Sequence, residues 1–365
     1  MQAVVVDDYN EARVEEVPRP EPGQGEVLIA VDRVQLSVTE CNLYRGEKIA
    51  HSEQIASRLA DGPARILGHE FAGTVETVGP GVEAFEPGDR VYPPGKIPCG
   101  DCPYCRADYD NYCSDTTQIG YDIPGALAEY TCVPATPLRQ LPAGVSAAEG
   151  AAMQPLASAV LAVEPADVGM GDVAVTVGTG VMGYNCAQLA LESGAERVFA
   201  LDIVDEKLDI AADHGAEPIN VEEEDPKPII EEATDGVGAD VVFEAVGGHQ
   251  THGTEGDSPL ARAVSVVRKG GTIVQVGHII DEIPVAPRTL RTKRIDWITP
   301  SPGVEPLTPV MDSGGYAAAA VADGRINLDE YITHSRDGLD HFDEIVDITL
   351  NKPAHGALGP AQINP

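Results

Sequence analysis

Residues 172 to 194 read DVAVTVGTGVMGYNCAQLALESG: an apolar β-branched run, a turn of three glycines, then apolar residues at helical spacing. The change of period across the turn predicts strand, tight turn and helix. In that setting Gly178-Thr179-Gly180-Val181-Met182-Gly183 is a G-x-G-x-x-G. Its first Gly permits the turn, its second lets backbone approach a pyrophosphate, and its third lets helix and strand pack closely. A glycine-rich turn can also serve packing alone. Asp202, about 20 residues on at the end of the next predicted strand, adds the carboxylate that accepts ribose hydroxyls. It would repel a 2′-phosphate, and Ile203 and Val204 bring no Arg to receive one, so NAD is favoured over NADP. Lys207 can reach the same ribose or lie on a solvated helix face.

Downstream the alternation continues: RVFALD a strand, DEKLDIAADHG a helix, ADVVFEAVG a strand, LARAVSVVRKG a helix, GTIVQVG a strand. That order specifies an α/β unit, a doubly wound parallel sheet with helices on both faces. Upstream, short β-branched runs such as AVVV, EVLIAV and GTVETV between Gly and Pro predict a mostly-β region. After about residue 298 the pattern loosens and ends in a helix-like DHFDEIVDITLNK and an apolar GALGPAQI, which are expected to return to the first domain. The expected division is 1–154, 155–298 and 299–365.

The 365 residues exceed what one core usually supports, and 43% hydrophobic content suffices for two. The formal charge is −35, from 59 acidic residues against 24 basic ones, and the acids are dispersed. Such a coat repels phosphate backbones and anionic lipid, which excludes nucleic acid and membrane partners and leaves a small-molecule substrate. Seven Lys against seventeen Arg and 5% aromatics fit a halophilic, high-salt cytoplasm where screening offsets repulsion. No secretory n-region or 18-residue apolar run is present, so a soluble cytoplasmic protein is expected.

Cys99, Cys102, Cys105 and Cys113 form C-x2-C-x2-C-x7-C in the loop CGDCPYCRADYDNYC. Four thiolates this close suit one tetrahedral Zn²⁺, closed and structural for want of an open ligand position. Two disulfides, unrelated thiols or a redox C-x-x-C pair are the alternatives, the first disfavoured by a reducing compartment.

Together with ILGHEFAGTVETVGPGVEAFEPGDRVY and ADVVFEAVGG, these motifs make the chain resemble the zinc-type medium-chain dehydrogenases over nearly its whole length. The resemblance implies a GroES-like catalytic domain built from both ends of the chain, with the lobe 99–113 inside it. It further implies an inserted Rossmann domain, NAD(P)-linked hydride transfer, a second, catalytic zinc, and a homodimer or homotetramer. It carries the metal-binding His of G-H-E onto His69, the following acid onto Glu70, and the residue before Pro-Leu-Ala onto Gln154. Gln154, a weak neutral ligand, can equally contact substrate or cap a turn.

One stretch departs from the pattern. Where the family carries C-G-[ST]-D-x-H, residues 37–42 read Ser37-Val38-Thr39-Glu40-Cys41-Asn42. Ser37 stands in the ligand Cys position. Thr39 keeps the hydroxyl that meets the substrate alcohol, Glu40 replaces, one methylene longer, the Asp that orients the metal-binding His, and Asn42 replaces the relay His. Cys41, four residues beyond Ser37, is read as a buried or substrate-facing thiol in preference to a substitute ligand. The leading expectation is NAD-dependent oxidation of a secondary alcohol of polyol, sugar or hydroxy-amino acid class. A zinc-free reductase using Thr39 or Glu40, and a decayed NAD-binding protein, are the rivals. The segment GEKIAHSEQIASRLADGPAR is expected to border the substrate pocket.

Overall fold

A computed structural model describes residues 1–301 and 303–365. They fold as two compact units, Met1–Ser158 with Pro302–Pro365, and Ala159–Ser301.

The second unit holds a six-stranded, all-parallel sheet in the order Glu217–Asn220, Arg197–Asp202, Val173–Val177, Ala239–Glu244, Val267–Gln275, Asp296–Ile298. The chain starts in the middle and winds outward both ways. The order therefore reverses beside Val173–Val177, the place where such sheets bind ligands at their carboxyl edge. All five residues of that strand are buried, which is why it reads as one unbroken apolar run. Val175, Phe199, Leu201, Ile230, Val242 and Ile273 lie in its core.

This is the doubly wound class the sequence predicts, with three differences. The strands Glu217–Asn220 and Asp296–Ile298 carry no clear alternation, being short edges with one neighbour each. The helix Pro226–Ala233 follows the first of them. Finally, the helix expected over LARAVSVVRKG stops at Val266, and Val267–Gln275 continues as strand through Gly270 and Gly271.

The first unit is built on a seven-stranded sheet. Its central strand, Glu26–Gln35, pairs along one edge with Glu70–Val78. Along the other edge it pairs first with Tyr130–Pro134 and then, at Val34 and Gln35, with Gln362–Asn364. The last strand of the chain thus completes a sheet begun by residue 26, and helix Phe342–Leu350 packs Phe342, Ile345, Val346 and Ile348 into the same core. Among the described residues no helix is long and apolar enough to cross a membrane.

Candidate active site

Ser37-Val38-Thr39-Glu40 is a capping box: the Ser37 hydroxyl accepts from the Glu40 amide at 3.1 Å, and the Glu40 carboxylate accepts from the Ser37 amide at 3.2 Å. The box starts helix Val38–Tyr44 and draws the Glu40 side chain wholly out of solvent. There its second oxygen accepts from the His69 amide at 3.0 Å and lies 2.8 Å from His69 Nδ1. Burial works against charge on both groups, yet their mutual attraction outweighs it. Glu40 is held below the usual carboxylate range and His69 above the usual imidazole value. The longer side chain of Glu40 therefore makes the orienting contact. Its oxygens accept from the amides of both Ser37 and His69.

His69 is aimed by the turn before it. Leu67 is buried at φ +67°, a conformation a branched side chain rarely adopts, and its amide donates to Gly120 O at 2.6 Å. Gly68 follows at φ +78°, where a Cβ would lie 3.0 Å from the Leu127 nitrogen. With Nδ1 turned to Glu40, Nε2 faces Glu70 Oε1 at 3.8 Å. The other Glu70 oxygen accepts from Gln35 Nε2 at 2.7 Å, and Gln35 Oε1 accepts from Gln362 Nε2 at 3.2 Å. Burial pushes the Glu70 carboxyl up to about 7, against the pull of His69 and the Gln35 hydrogen bond.

His69 and Gln154 line one cavity of about 190 Å³, shared with Lys96, Gln118, Ile119 and Ser158. Gln154 Nε2 donates to Ser158 Oγ at 3.0 Å one turn along helix Met153–Val163. Thr39 and Asn42 are half-buried on helix Val38–Tyr44 and are not among the residues that wall this cavity. Cys41 points into the hydrophobic core with no exposure, and burial drives its thiol far above the usual range. The segment 46–65, expected to border the pocket, forms helix Ser52–Ala60 and does not line the His69 cavity; the His51 ring packs 4.9 Å from that of Tyr121.

The four lobe cysteines bring their sulfurs within 4.8 Å of one another, and none is in a disulfide. Cys99 N donates to Cys113 Sγ at 3.3 Å and Cys105 N to Cys102 Sγ at 3.4 Å. The Cys105 amide is the main reason Cys102 falls to about 6, whereas burial raises Cys105. Thiols this close cannot all ionise without a cation among them.

At the glycine-rich turn, Gly178 adopts φ +86°, and a Cβ on Gly183 would sit 1.8 Å from Gly178 O, so neither tolerates a side chain. Gly180, the N-cap of helix Val181–Glu192, faces open space and leaves the first amides of the helix, those of Val181, Met182 and Gly183, without a side-chain cap. Asp202 ends the neighbouring strand and accepts from Thr179 N at 2.7 Å and from Ile203 N at 2.8 Å. Lys207 is half-buried on helix Asp205–Asp213.

Residues 23–143 match the family described as alcohol dehydrogenase GroES-like domain, and residues 181–301 match that described as zinc-binding dehydrogenase. The L-threonine 3-dehydrogenase of Thermococcus kodakarensis is 30% identical over 92% of this chain and 91% of its own. The sorbitol dehydrogenase of Bombyx mori is 31% identical over 91% and 90%. The chain belongs to the zinc-type medium-chain dehydrogenases. Among solved structures, the alcohol dehydrogenase TADH from Thermus sp. ATN1 superposes with a TM-score of 0.82 at 28% identity, covering 100% of this chain and 99% of that one.

Membership makes this dehydrogenase an oxidoreductase and implies NAD(P) and zinc. Its residues fit both. The lobe offers four sulfurs within 4.8 Å of one another, close enough to share one ion. The Gly180 helix start offers uncapped amides to a pyrophosphate. The cavity presents the imidazole of His69 and the amide of Gln154, and Glu70, which does not line it, stands 3.8 Å from His69 Nε2; these are nitrogen and oxygen donors of the kind a divalent cation accepts, without a thiolate.

Proposed function

We propose that this dehydrogenase passes hydride between a secondary alcohol and NAD, with polyols, sugars and hydroxy-amino acids as its substrate classes. We assign His69, Glu70 and Gln154 to a catalytic zinc and Cys99, Cys102, Cys105 and Cys113 to a structural one. Zinc in the cavity would supply Lewis-acid polarisation of the alcohol oxygen, and NAD the hydride acceptor.

The observation that carries this reading is the Glu40–His69 pair, which fixes the imidazole with Nε2 free to ligate. Ser37 acts through Glu40 as the helix cap. By the family pattern Thr39 is assigned the hydrogen bond to the substrate hydroxyl, although it does not itself wall the His69 cavity, and because the Asn42 amide cannot exchange a proton near neutrality, water or another group takes it onward. Asp202 receives the ribose hydroxyls beside Lys207, which supports NAD over NADP. Relatives named threonine and sorbitol dehydrogenase support the substrate classes.

We further place the protein in a reducing, high-salt cytoplasm as a homodimer or homotetramer, without nucleic acid or membrane partners. Four neighbouring free thiols and the charge of −35 support that setting. The test is turnover of alcohols, sugars and hydroxy acids with NAD and NADP, in molar and in low salt, alongside a zinc count. NAD-linked activity in molar salt with two zinc ions per chain is expected. A single zinc, in the lobe, overturns zinc catalysis, and preference for NADP overturns the cofactor assignment.

A further inference from the structure

We propose that Lys96 makes this enzyme selective for alcohols bearing an anionic oxygen group, a carboxylate or a phosphate ester. The proposal rests on reading the His69 cavity as the substrate site.

Lys96 lines that cavity together with His69 and Gln154. Its backbone is held on both sides. A Cβ on Gly95 would lie 2.8 Å from Gly303 O, and the Ile97 amide donates to Thr117 O at 2.9 Å while its carbonyl accepts from Thr117 N at 2.8 Å. The side chain is half-buried, and among the described residues its ammonium makes no ion pair or hydrogen bond. Asp122 is the acid that acts on it electrostatically, but the Asp122 carboxylate accepts from Gln118 N at 2.8 Å.

In a chain with 59 acidic residues against 24 basic ones, a counter-charge in contact with a half-buried lysine would be easy to supply, yet among the described residues none pairs with it directly and Asp122 acts only from beyond ion-pair distance. Of the other part-buried lysines, Lys293 donates to three backbone carbonyls and Lys352 to Thr349 O, so both serve helix ends, whereas Lys207 on helix Asp205–Asp213 makes no such bond among the described residues and does not line this cavity. A cation partly withdrawn from water without a partner costs stability unless something else completes it.

Gln118 is another residue of the cavity wall, and its Oε1 is buried without a donor. A ligand with an anionic oxygen would complete Lys96, whereas a plain alcohol would leave its charge without a counterpart.

The test uses the zinc-loaded enzyme with NAD and two matched pairs: butan-2-ol against 3-hydroxybutyrate, and propane-1,2-diol against its 1-phosphate. In the native protein the charged member of one pair is expected to lead in kcat/KM by about tenfold or more, the scale of a hydrogen bond to a charged group. Which pair does so separates carboxylate from phosphate. Lys96→Gln should collapse that ratio through KM, and Lys96→Arg should preserve it. Equal turnover of neutral and charged members overturns the proposal and leaves the dehydrogenase reading standing. So does a Lys96→Gln loss shared equally by both members, with melting temperature checking the fold. Failure to turn over any of the four, or any alcohol of the wider panel, defeats the dehydrogenase reading and this proposal with it.

Discussion

The cysteine lobe and the His69 cavity both suit a metal, yet they are assembled on opposite plans. The lobe draws four sulfurs from residues 99 to 113, so loop geometry alone gathers them. The cavity draws His69 and Gln154 from segments 85 residues apart, and depends on Glu40, Gln35 and Gln362 to hold its first donors in place. A site made within one loop keeps its donors together whatever happens elsewhere. A site made across a sheet is only as good as the packing behind it, and a donor set without a thiolate would hold zinc less tightly.

The hardest test of that contrast is His69→Ala. Activity should fall on the order of 10³-fold, the scale of losing a transition-state stabiliser, while the zinc count drops from two to one because the lobe is untouched. Loss of both ions would show that the sites are not independent. Next, Glu40→Gln keeps the shape but removes the charge facing Nδ1. Either zinc affinity in the cavity or activity should drop roughly 10- to 100-fold, and unchanged titrations would mean that the orienting carboxylate does nothing.

Cys105→Ser addresses the other side. It should release the lobe metal and lower the melting temperature by roughly 5 to 10 °C, with turnover per folded molecule within about twofold. A loss of activity as large as that of His69→Ala would place the lobe in the chemistry. Smallest of all, Cys41→Ala should leave two zinc ions and near-native kcat/KM, at a stability cost of roughly 1 kcal/mol from lost core contacts. Loss of one zinc there would reinstate Cys41 as a ligand.

The difference between the two plans also explains what could be read in advance. The lobe cysteines, the glycine turn and Asp202 were legible because spacing along the chain is nearly all that such features need. His69 was legible through its neighbours in GHEFAGTV. Ser37 and Glu40 were seen as departures from a ligand motif, although S-x-x-E is equally a capping-box pattern, and that pattern is what the backbone uses. No local signal marks Leu67 for positive φ, and none pairs Gln35 with Gln362, 327 residues away. The short strand Glu217–Asn220 escaped notice because an edge with one neighbour needs little of the β-branched density that marks Val173–Val177.

The strand Gln362–Asn364 has a consequence for how the protein comes to life on the ribosome. Because it pairs with Val34 and Gln35, and Gln362 also donates to Ala148 O at 2.9 Å, the unit containing His69 cannot close until its last strand has been made. At about 5 to 20 residues per second, the 327 residues separating Gln35 from Gln362 represent roughly 15 to 65 s of synthesis. Throughout that interval the strand Glu26–Gln35 lacks its partner at Val34 and Gln35, while the parallel-sheet unit, one uninterrupted stretch of chain, is free to finish first.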